Sequence, residues 1–385
     1  MAEHSAVAIH DDRKLPALTG VRFFAAAAVL VSHFSAHGAI VMPGSVIDFL
    51  DGGRTAVSLF FVLSGFILTY NYSTLTGAAA RMRFYVNRVA RIYPVVLLAL
   101  LIGAVGVTVA LTASDPKYLR DWYSLESPSV IALVGSFLAQ ITVTTGWFPA
   151  ARINQPWNGP AWSIACEMFF YVLFPFLIAW ARNRRAWTIA IALVCVFLTQ
   201  VLLIVGARTF APAGQRGFLV SQFPPTHLFD FVIGMAAGLF FLKGGREWLA
   251  AGYRRTGTLL AAMVPLALLA YFRPIDPAYL LMTPFFALLV LGLASPPSRR
   301  PSVLAARPLL LLGEASFSLY LIHVPLLNLF SLANPSPLVG WALMAVTVGL
   351  SILIFKTFET PARMLVKRVL APRAVAKPER LSSET

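Results

Sequence analysis

The sequence has few charged residues and almost no cysteine. Only 12% of its 385 residues are Asp, Glu, Lys or Arg, whereas 58% are hydrophobic, and the mean hydropathy is +0.75. A soluble protein of this length covers its surface with charge, so this composition excludes a soluble globular enzyme. The two cysteines, Cys166 and Cys195, provide neither a disulfide framework nor metal-ligand spacing, and we predict no metal site.

The chain also lacks the glycine-rich loops that bind phosphates in soluble nucleotide enzymes. Ser64 precedes Gly65 but does not sit in a nucleophile elbow, and no base lies beside it in the sequence. Small residues in this segment fit either close helix packing or the lining of a pathway. We keep both interpretations of Ser64 and do not assign it as a nucleophile.

Long apolar stretches of about twenty residues are present instead, and they predict transmembrane helices. The fold class we expect is an all-α, polytopic membrane protein with about ten transmembrane helices. The spans are predicted near 17–36, 54–72, 90–112, 161–180, 187–207, 226–242, 257–272, 278–294, 309–330 and 338–358. The stretch 130–145 is apolar but short, and it either spans or lies at the interface.

The distribution of positive charge predicts the topology. If 130–145 does not span, 22 of the 31 Lys and Arg residues fall on the side that holds both termini, and only 7 on the other. Basic loops stay in the cytoplasm, so both termini are predicted to be cytoplasmic. The net charge of +15 therefore indicates orientation in the lipid bilayer rather than nucleic-acid binding. The domains predicted are a cytoplasmic segment 1–16, a transmembrane domain 17–358 with an external loop 113–160, and a cytoplasmic tail 359–385.

The external loop is rich in aromatic residues, and the tail from Ala371 has a disordered composition. Aromatic side chains at a membrane surface commonly anchor the protein at the interface. A lid or a surface on which a sugar stacks is the functional alternative. The residues concerned are Trp122, Tyr123, Trp147 and Trp157.

The first span carries a charged pair. Arg22 and His33 are eleven positions apart in a stretch made otherwise of Ala, Val, Leu and Phe. Eleven residues are about three helical turns, so both side chains point to one face about 16 Å apart. Ionisable groups at membrane depth usually face the bundle interior and are functional. One helix thus presents a cation near the cytoplasmic surface and an imidazole near the external surface.

Other titratable residues share the outer half of the membrane with His33. Glu167 and His323 lie within spans, whereas His227 and Asp230 are close enough to the surface that we expect solvation. Each could be a structural partner of a neighbouring helix. A carboxylate beside an imidazole fixes its tautomer and raises its basicity, so Glu167 beside His33 would suit general-base catalysis.

A cluster of arginines precedes the third span on the predicted cytoplasmic side. Orientation of the span explains such a cluster by default. A phosphate-binding site is the functional alternative, because Arg binds phosphate oxygens in a bidentate manner. An anionic cytosolic donor, such as a nucleotide or coenzyme A, would fit. The residues are Arg81, Arg83, Arg88 and Arg91.

Motifs spread in order over about 350 residues resemble the membrane-bound acyltransferase-3 family. Arg22 and His33 match its Arg-x10-His motif, and Glu167 ends its Trp-Ser-x3-Glu motif. The remaining matches are the segment from Phe60 to Phe66, the Arg88-x2-Arg91-x-Tyr93-Pro94 element, Trp162, Ser163 and Tyr171, the segment from Ser316 through Tyr320 to His323, and Glu359-Thr360-Pro361.

The resemblance implies an integral membrane enzyme that moves an acyl group, usually acetyl, from cytosolic acyl-CoA to a hydroxyl. Acceptors in that family include surface polysaccharides, lipopolysaccharide sugars, modulation-signal oligosaccharides and macrolide antibiotics. The chain departs from the family in having Cys166 before the Glu of its motif. It also shows no fused esterase-like domain, so a protein that handles the acceptor is expected to be a separate chain.

The working hypothesis places His33 as general base, with Glu167 orienting or polarising it and Arg22, Arg88 and Arg91 holding the phosphates of acetyl-CoA. A covalent acyl-histidine relay remains an alternative to direct transfer. A carbohydrate acceptor is preferred to a glycosylated small molecule, and the predicted location is a bacterial cytoplasmic membrane. Substrate or pore-lining candidates are Ser64, Trp162, Ser163, Tyr171, His227, Asp230, Tyr320 and His323.

A transporter or flippase is the alternative from another functional class, because in-span His, Glu and Arg residues also line transport paths. Transporters often contain two related halves, and the sequence shows no such symmetry. No permanently bound cofactor is expected, and the sequence does not indicate an oligomeric state.

Overall fold

The computed structural model describes residues 15–46, 53–113, 119–120, 123–124, 129–272, 279–295, 302–331 and 336–370. Within these ranges the chain is helical and contains no β-strand, which confirms the all-α prediction. The helices are α1 (Pro16–Ala36), α2 (Arg54–Tyr72), α3 (Gly77–Ala113), α4 (Val130–Ile141), α5 (Ala151–Asn154), α6 (Trp162–Ala181), α7 (Ala186–Phe210), α8 (Ala213–Ser221), α9 (Leu228–Phe240), α10 (Arg246–Ala250), α11 (Gly252–Phe272), α12 (Tyr279–Ala294), α13 (Arg307–Ser331), α14 (Pro337–Ile354) and α15 (Thr360–Leu370).

Nine helical stretches in the described part of the chain are long and apolar enough to cross a membrane. The one predicted span that is not among them, 278–294, corresponds to α12, which has only 16 residues and packs between α2 and α11. The ambiguous stretch 130–145 forms the 12-residue helix α4. At 1.5 Å per residue α4 is about 18 Å long, too short for a hydrocarbon core of about 30 Å.

Helix α3 is longer than the sequence analysis expected. It begins at Gly77 rather than near residue 90 and has 37 residues, so it extends beyond the apolar span. The arginine cluster therefore lies on a helix and not in a loop. Its members take up defined faces: Arg81 and Arg83 are exposed, whereas Arg88 and Arg91 turn toward the bundle.

Helices α1, α2, α6, α9 and α13 form the centre of the molecule, and at least half of the apolar window of each is buried. Helix α1 packs along α13 and also contacts α2, while α2 packs along α9. Small residues make these contacts close. A Cβ on Gly65 of α2 would lie 2.1 Å from the Phe231 carbonyl oxygen of α9, and one on Gly313 of α13 would lie 1.9 Å from the Thr19 carbonyl oxygen of α1. Such glycines let two helix backbones approach closely. Close packing matters in a membrane because the hydrophobic effect does not drive helices together in lipid.

The proline within α13 has a consequence for the neighbouring loop. Pro325 has no N–H, so the Leu321 carbonyl four residues earlier loses its helical donor. The side-chain amide of Asn158 donates to that carbonyl at 3.0 Å. This bond ties the segment that precedes α6 to α13.

The aromatic residues of the predicted external loop are partly packed. Tyr123 is buried, and the indole N–H of Trp157 donates to the Ser136 hydroxyl at 2.7 Å. Trp147 stays partly exposed with its ring edge-on to Phe223. Trp122, the segment 1–14 and the tail from Ala371 lie outside the described residues.

Candidate active site

Three cavities follow one another along the central helices. We name them the arginine cavity (about 650 Å³), the bridging cavity (about 50 Å³) and the histidine cavity (about 270 Å³). The first is lined by residues including Arg22, Ser64, Tyr72, Arg88, Arg91, Glu167, Tyr171, Arg363 and Lys367. The second is lined by residues including Arg22, Val57, Phe60, Ser163, Glu167, Phe317 and Tyr320, and the third by Val29, His33, Gly53, Arg54, Val57, Trp162, Ser221, Gln222 and Tyr320.

Shared side chains make the cavities contiguous. Arg22 and Glu167 line both the arginine and the bridging cavity, and Tyr320 lines both the bridging and the histidine cavity. Arg22 and His33 thus reach opposite ends of the series, as their shared face on α1 predicts. The arginine cavity lies at the end that the charge distribution predicts to be cytoplasmic.

Arg88 lines the arginine cavity and has no carboxylate within 4 Å among the described residues. Its guanidinium lies over the rings of Tyr72, Phe84 and Tyr171 at 5.4, 5.7 and 5.7 Å from their centroids. One N–H donates to the Tyr72 hydroxyl at 3.2 Å, and Nε has no partner among the described residues. Aromatic faces hold the cation in place without neutralising it. The side chain therefore retains the charge needed to bind an anion.

Arg91 is held differently. Its guanidinium forms an ion pair with Glu359, whose other oxygen accepts a hydrogen bond from Ser318 at 2.6 Å. The same guanidinium lies over the Phe317 ring at 5.0 Å. Arg91 lines the cavity, but Glu359 offsets its charge and ties α3 to α13 and to the segment before α15.

Two further cations were not recognised in the sequence. Arg363 and Lys367 of α15 line the arginine cavity, and neither has a carboxylate within 4 Å among the described residues. In the sequence they counted only toward membrane orientation, as part of a tail. Their four-residue spacing places them on one helical face, a signal that could have found them.

Glu167 lies between the arginines and the bridging cavity. Its carboxylate accepts a hydrogen bond from the Tyr171 hydroxyl one turn later at 2.9 Å. It does not lie beside His33, because the two residues line different cavities. The structure thus shows no hydrogen bond between Glu167 and His33, because His323 of α13 occupies the contact at His33 Nδ1.

The bridging cavity is narrow and is closed by hydroxyls. The Ser163 hydroxyl lies 2.8 Å from the Tyr320 hydroxyl and donates toward the Pro160 carbonyl at 3.1 Å. The Tyr320 hydroxyl lies 3.3 Å from the same carbonyl. Tyr320 and Ser163 thus both contribute to the wall between the two larger cavities.

The residue that contacts His33 is His323. His33 Nδ1 lies 2.9 Å from His323 Nε2, and the two rings are 5.0 Å apart. His323 Nδ1 lies 2.6 Å from the backbone oxygen of Tyr320. His37, just beyond α1, is a third imidazole on this side, and burial lowers its pKa. Because that shift keeps His37 neutral near pH 7, it adds no positive charge to the site.

His227 and Asp230 are buried, and the expectation that they are solvated is wrong. They are 2% and 0% exposed and contact each other at 3.2 Å. His227 Nε2 also meets the Ser221 carbonyl, and Asp230 accepts a bond from Thr283 at 2.8 Å. The turn before α9 folds His227 inward. The pair lines none of the three cavities, and its satisfied bonds fit a structural role.

The remaining candidates divide between packing and lining. Ser64 lines the arginine cavity while its neighbour Gly65 packs on α9, so that segment serves both purposes. Trp162 lines the histidine cavity and lies against the His227 ring at 5.4 Å. Within the described residues, no group of three His, Cys, Asp or Glu side chains is placed to hold a metal.

A family model described as an acyltransferase domain matches residues 15–356. The acyltransferase MdmB of Streptomyces mycarofaciens is 29% identical over 330 residues, which cover 80% of this chain and 78% of MdmB. The putative peptidoglycan O-acetyltransferase YrhL of Bacillus subtilis is 26% identical, covering 91% of this chain and 55% of YrhL. The O-acetyltransferase OatA of Staphylococcus aureus is 23% identical, covering 92% and 58%. The chain thus spans just over half the length of YrhL and OatA, and no solved structure is significantly similar.

Proposed function

Because the chain belongs to the membrane-bound acyltransferase-3 family, we propose that it transfers an acyl group, in the simplest case acetyl, from cytosolic acyl-CoA to a carbohydrate hydroxyl. The observation that carries the proposal is the series of three cavities, with cations at one end and His33 at the other. The donor enters the arginine cavity, and the acceptor enters the histidine cavity.

The arginine cavity suits the phosphates of coenzyme A. At about 650 Å³ it lies within the usual range of about 300 to 1,000 Å³ for small-molecule sites. Arg22, Arg88, Arg363 and Lys367 supply cations that no described carboxylate within 4 Å offsets, and Arg91 contributes from its pair with Glu359. Guanidinium groups bind phosphate oxygens in a bidentate manner.

The pantetheine arm of the donor matches the length of the series. From pyrophosphate to sulfur the arm has the length of about four extended residues, or about 14 Å. The rise along α1 from Arg22 to His33 is about 16 Å. A donor held at Arg22 thus brings its thioester close to His33, provided that the narrow bridging cavity widens around Phe60, Phe317 and Tyr320.

The histidine cavity suits one ring of a sugar. At about 270 Å³ it has room for about nine waters. It presents the Trp162 ring and the Gln222 amide, whose oxygen is buried and accepts no hydrogen bond from the described residues. Aromatic faces and amides are the groups that bind sugar rings and hydroxyls. The name of YrhL, a putative peptidoglycan O-acetyltransferase, also supports a carbohydrate.

In the proposed reaction His33 acts as general base. Its unprotonated ring nitrogen removes the proton of the acceptor hydroxyl, the oxygen attacks the thioester carbonyl, and the carbon–sulfur bond breaks. The imidazolium then returns the proton to the leaving thiolate, so the products are an O-acyl ester and free coenzyme A. Glu167 bonds to Tyr171 and not to His33, and we propose that it acts on the donor side with Arg22 and Tyr171.

The experiment is a donor assay combined with an acceptor survey. Purified protein in nanodiscs receives acetyl-CoA with and without soluble glycan fragments from the native envelope, and free thiol release is measured. Mass spectrometry then compares O-acetyl groups on surface glycans and secreted metabolites in strains with and without the gene. Loss of acetyl from a glycan supports the proposal, whereas loss from a glycosylated small molecule favours the alternative acceptor. Unchanged acetylation in both fractions and no thiol release would refute it.

A further inference from the structure

The contact between His33 and His323 fixes which ring nitrogens carry protons. The Tyr320 backbone oxygen can only accept a hydrogen bond, so His323 Nδ1, 2.6 Å away, must carry a proton. The protonation of His323 Nε2, which lies 2.9 Å from His33 Nδ1, is then the remaining question. Either Nε2 is bare and His33 Nδ1 donates to it, or His323 is a cation that donates to His33.

Burial selects the first arrangement. His323 is 1% exposed, and no described carboxylate lies within 4 Å of either ring. A buried cation without a counter-charge carries a large desolvation cost, whereas a neutral imidazole with both nitrogens paired carries none. His323 is therefore neutral and accepts the proton of His33 Nδ1.

We infer that His323 is a positioning residue that holds His33 in the tautomer protonated at Nδ1, leaving Nε2 bare toward the histidine cavity. The tautomer of an imidazole is set by the partner of its other nitrogen. A carboxylate usually plays that part beside a general base, and here a second imidazole, oriented by the Tyr320 carbonyl, takes its place. The catalytic meaning rests on the proposed function, but the proton positions do not.

The first test reads the proton positions directly and needs no substrate. Nitrogen-15 NMR on protein labelled at histidine, in lipid bilayers at pH 7.5, distinguishes protonated from bare ring nitrogens. His33→Gln and His323→Gln variants assign the signals. We expect His33 protonated at Nδ1 and bare at Nε2, and His323 likewise. In H323L, which has no acceptor, His33 should shift toward Nε2 protonation. A wild-type His33 protonated at Nε2, or no shift in H323L, would overturn the inference.

The second test reads activity with acetyl-CoA and native glycan fragments. H323L should lower kcat about 10- to 100-fold, the usual effect of removing a partner that orients a ligating or reacting imidazole, with the KM for acetyl-CoA nearly unchanged. H323Q, whose amide oxygen can accept the same proton, should recover most of kcat. Equal losses in the two variants would overturn the positioning role, since a packing defect would not distinguish them.

The two tests separate the inference from the proposed function. Correct proton positions in a protein that never acetylates a glycan would leave the inference standing and remove the function. Acetylation of a glycan by a protein whose His33 carries its proton on Nε2 would support the proposed function and overturn the inference.

Discussion

Helices α2 and α11 have the same hydropathy and different surroundings. The apolar window of each has a mean hydropathy of 1.4, yet 61% of it is buried in α2 and 11% in α11. Helix α2 lines all three cavities and packs along α9, whereas α11 contacts mainly α12 and leaves most of its surface outward. Hydropathy therefore indicates that a helix is apolar enough to enter the membrane. It does not indicate whether the helix faces lipid or other helices, because lipid and protein interior are equally apolar.

The difference lies in small and polar side chains. A Cβ on Gly65 of α2 would meet the Phe231 carbonyl, whereas one on Gly257 of α11 would meet nothing within 4 Å. Even in outward-facing α7, one of its few buried residues is polar: Gln200, which accepts a hydrogen bond from the Phe229 backbone. Polar groups in a span thus mark the face that meets another helix.

The largest effect is expected at His33, the imidazole of the inward face. His33→Ala should lower the rate of acyl transfer about 10²- to 10⁴-fold, the usual contribution of a general base, while membrane abundance stays normal. The rate is measured as thiol release from acetyl-CoA with glycan fragments. The control is Thr199→Ala, on the exposed surface of α7, which should keep wild-type activity. Full activity in His33→Ala would contradict the assigned role.

The next effect separates two arginines of one helix. Arg88→Ala should raise the KM for acetyl-CoA about tenfold to hundredfold, because a charge-assisted hydrogen bond contributes about 1.5 to 3 kcal/mol. Arg81→Ala removes an exposed arginine two turns earlier in α3 and should leave KM unchanged. Steady-state kinetics at constant ionic strength measure both. Equal changes in the two variants would indicate a general charge effect on the protein surface.

A third pair of variants tests the packing difference between α2 and α11. Gly65→Ala forces a Cβ against a backbone oxygen and should lower the free energy of unfolding by about 1 to 3 kcal/mol. Gly257→Ala meets no atom and should be neutral or stabilising by up to about 1 kcal/mol. Thermal unfolding in one detergent compares them. If both variants have the same Tm, close packing does not distinguish the two helices.

The smallest effect is expected at the rim of the arginine cavity. Lys367→Ala should raise the KM for acetyl-CoA only a few-fold, because an exposed ion pair contributes up to about 1 kcal/mol. Arg368→Ala, one residue later and outside the cavity lining, should have no effect. The Lys367 effect should fade at high salt, where charges are screened. A loss that persists in 1 M salt would point to packing instead.

Hydropathy predicted most of the helices, and residue spacing predicted the relative position of two site residues, Arg22 and His33. The span boundaries near Glu167 and Tyr320 agree with α6 and α13 to within about two residues. The separation of Arg22 from His33 also follows from helix periodicity. The start of α3 was missed because Arg81, Arg83 and Arg88 interrupt the apolar pattern of its first turns, and a helix that extends beyond the membrane has no hydropathy signal there.

The partners of these residues could not be predicted. His33 meets His323, 290 residues away, rather than Glu167, and Arg91 meets Glu359, 268 residues away. A period of 3.6 residues fixes the face of a side chain but not the helix opposite that face. His227 shows the same limit, since a short turn moved it from a predicted surface position into the interior.

The sequence by itself determined that this chain is an apolar bundle with a cation and an imidazole on one face of its first helix, because depth and face are local properties of a helix. Only the tertiary structure decided that cavities connect them, that His323 completes the imidazole site and that Arg363 and Lys367 join the cations. Those outcomes depend on which backbones approach closely, and that is set by contacts such as Gly313 against Thr19.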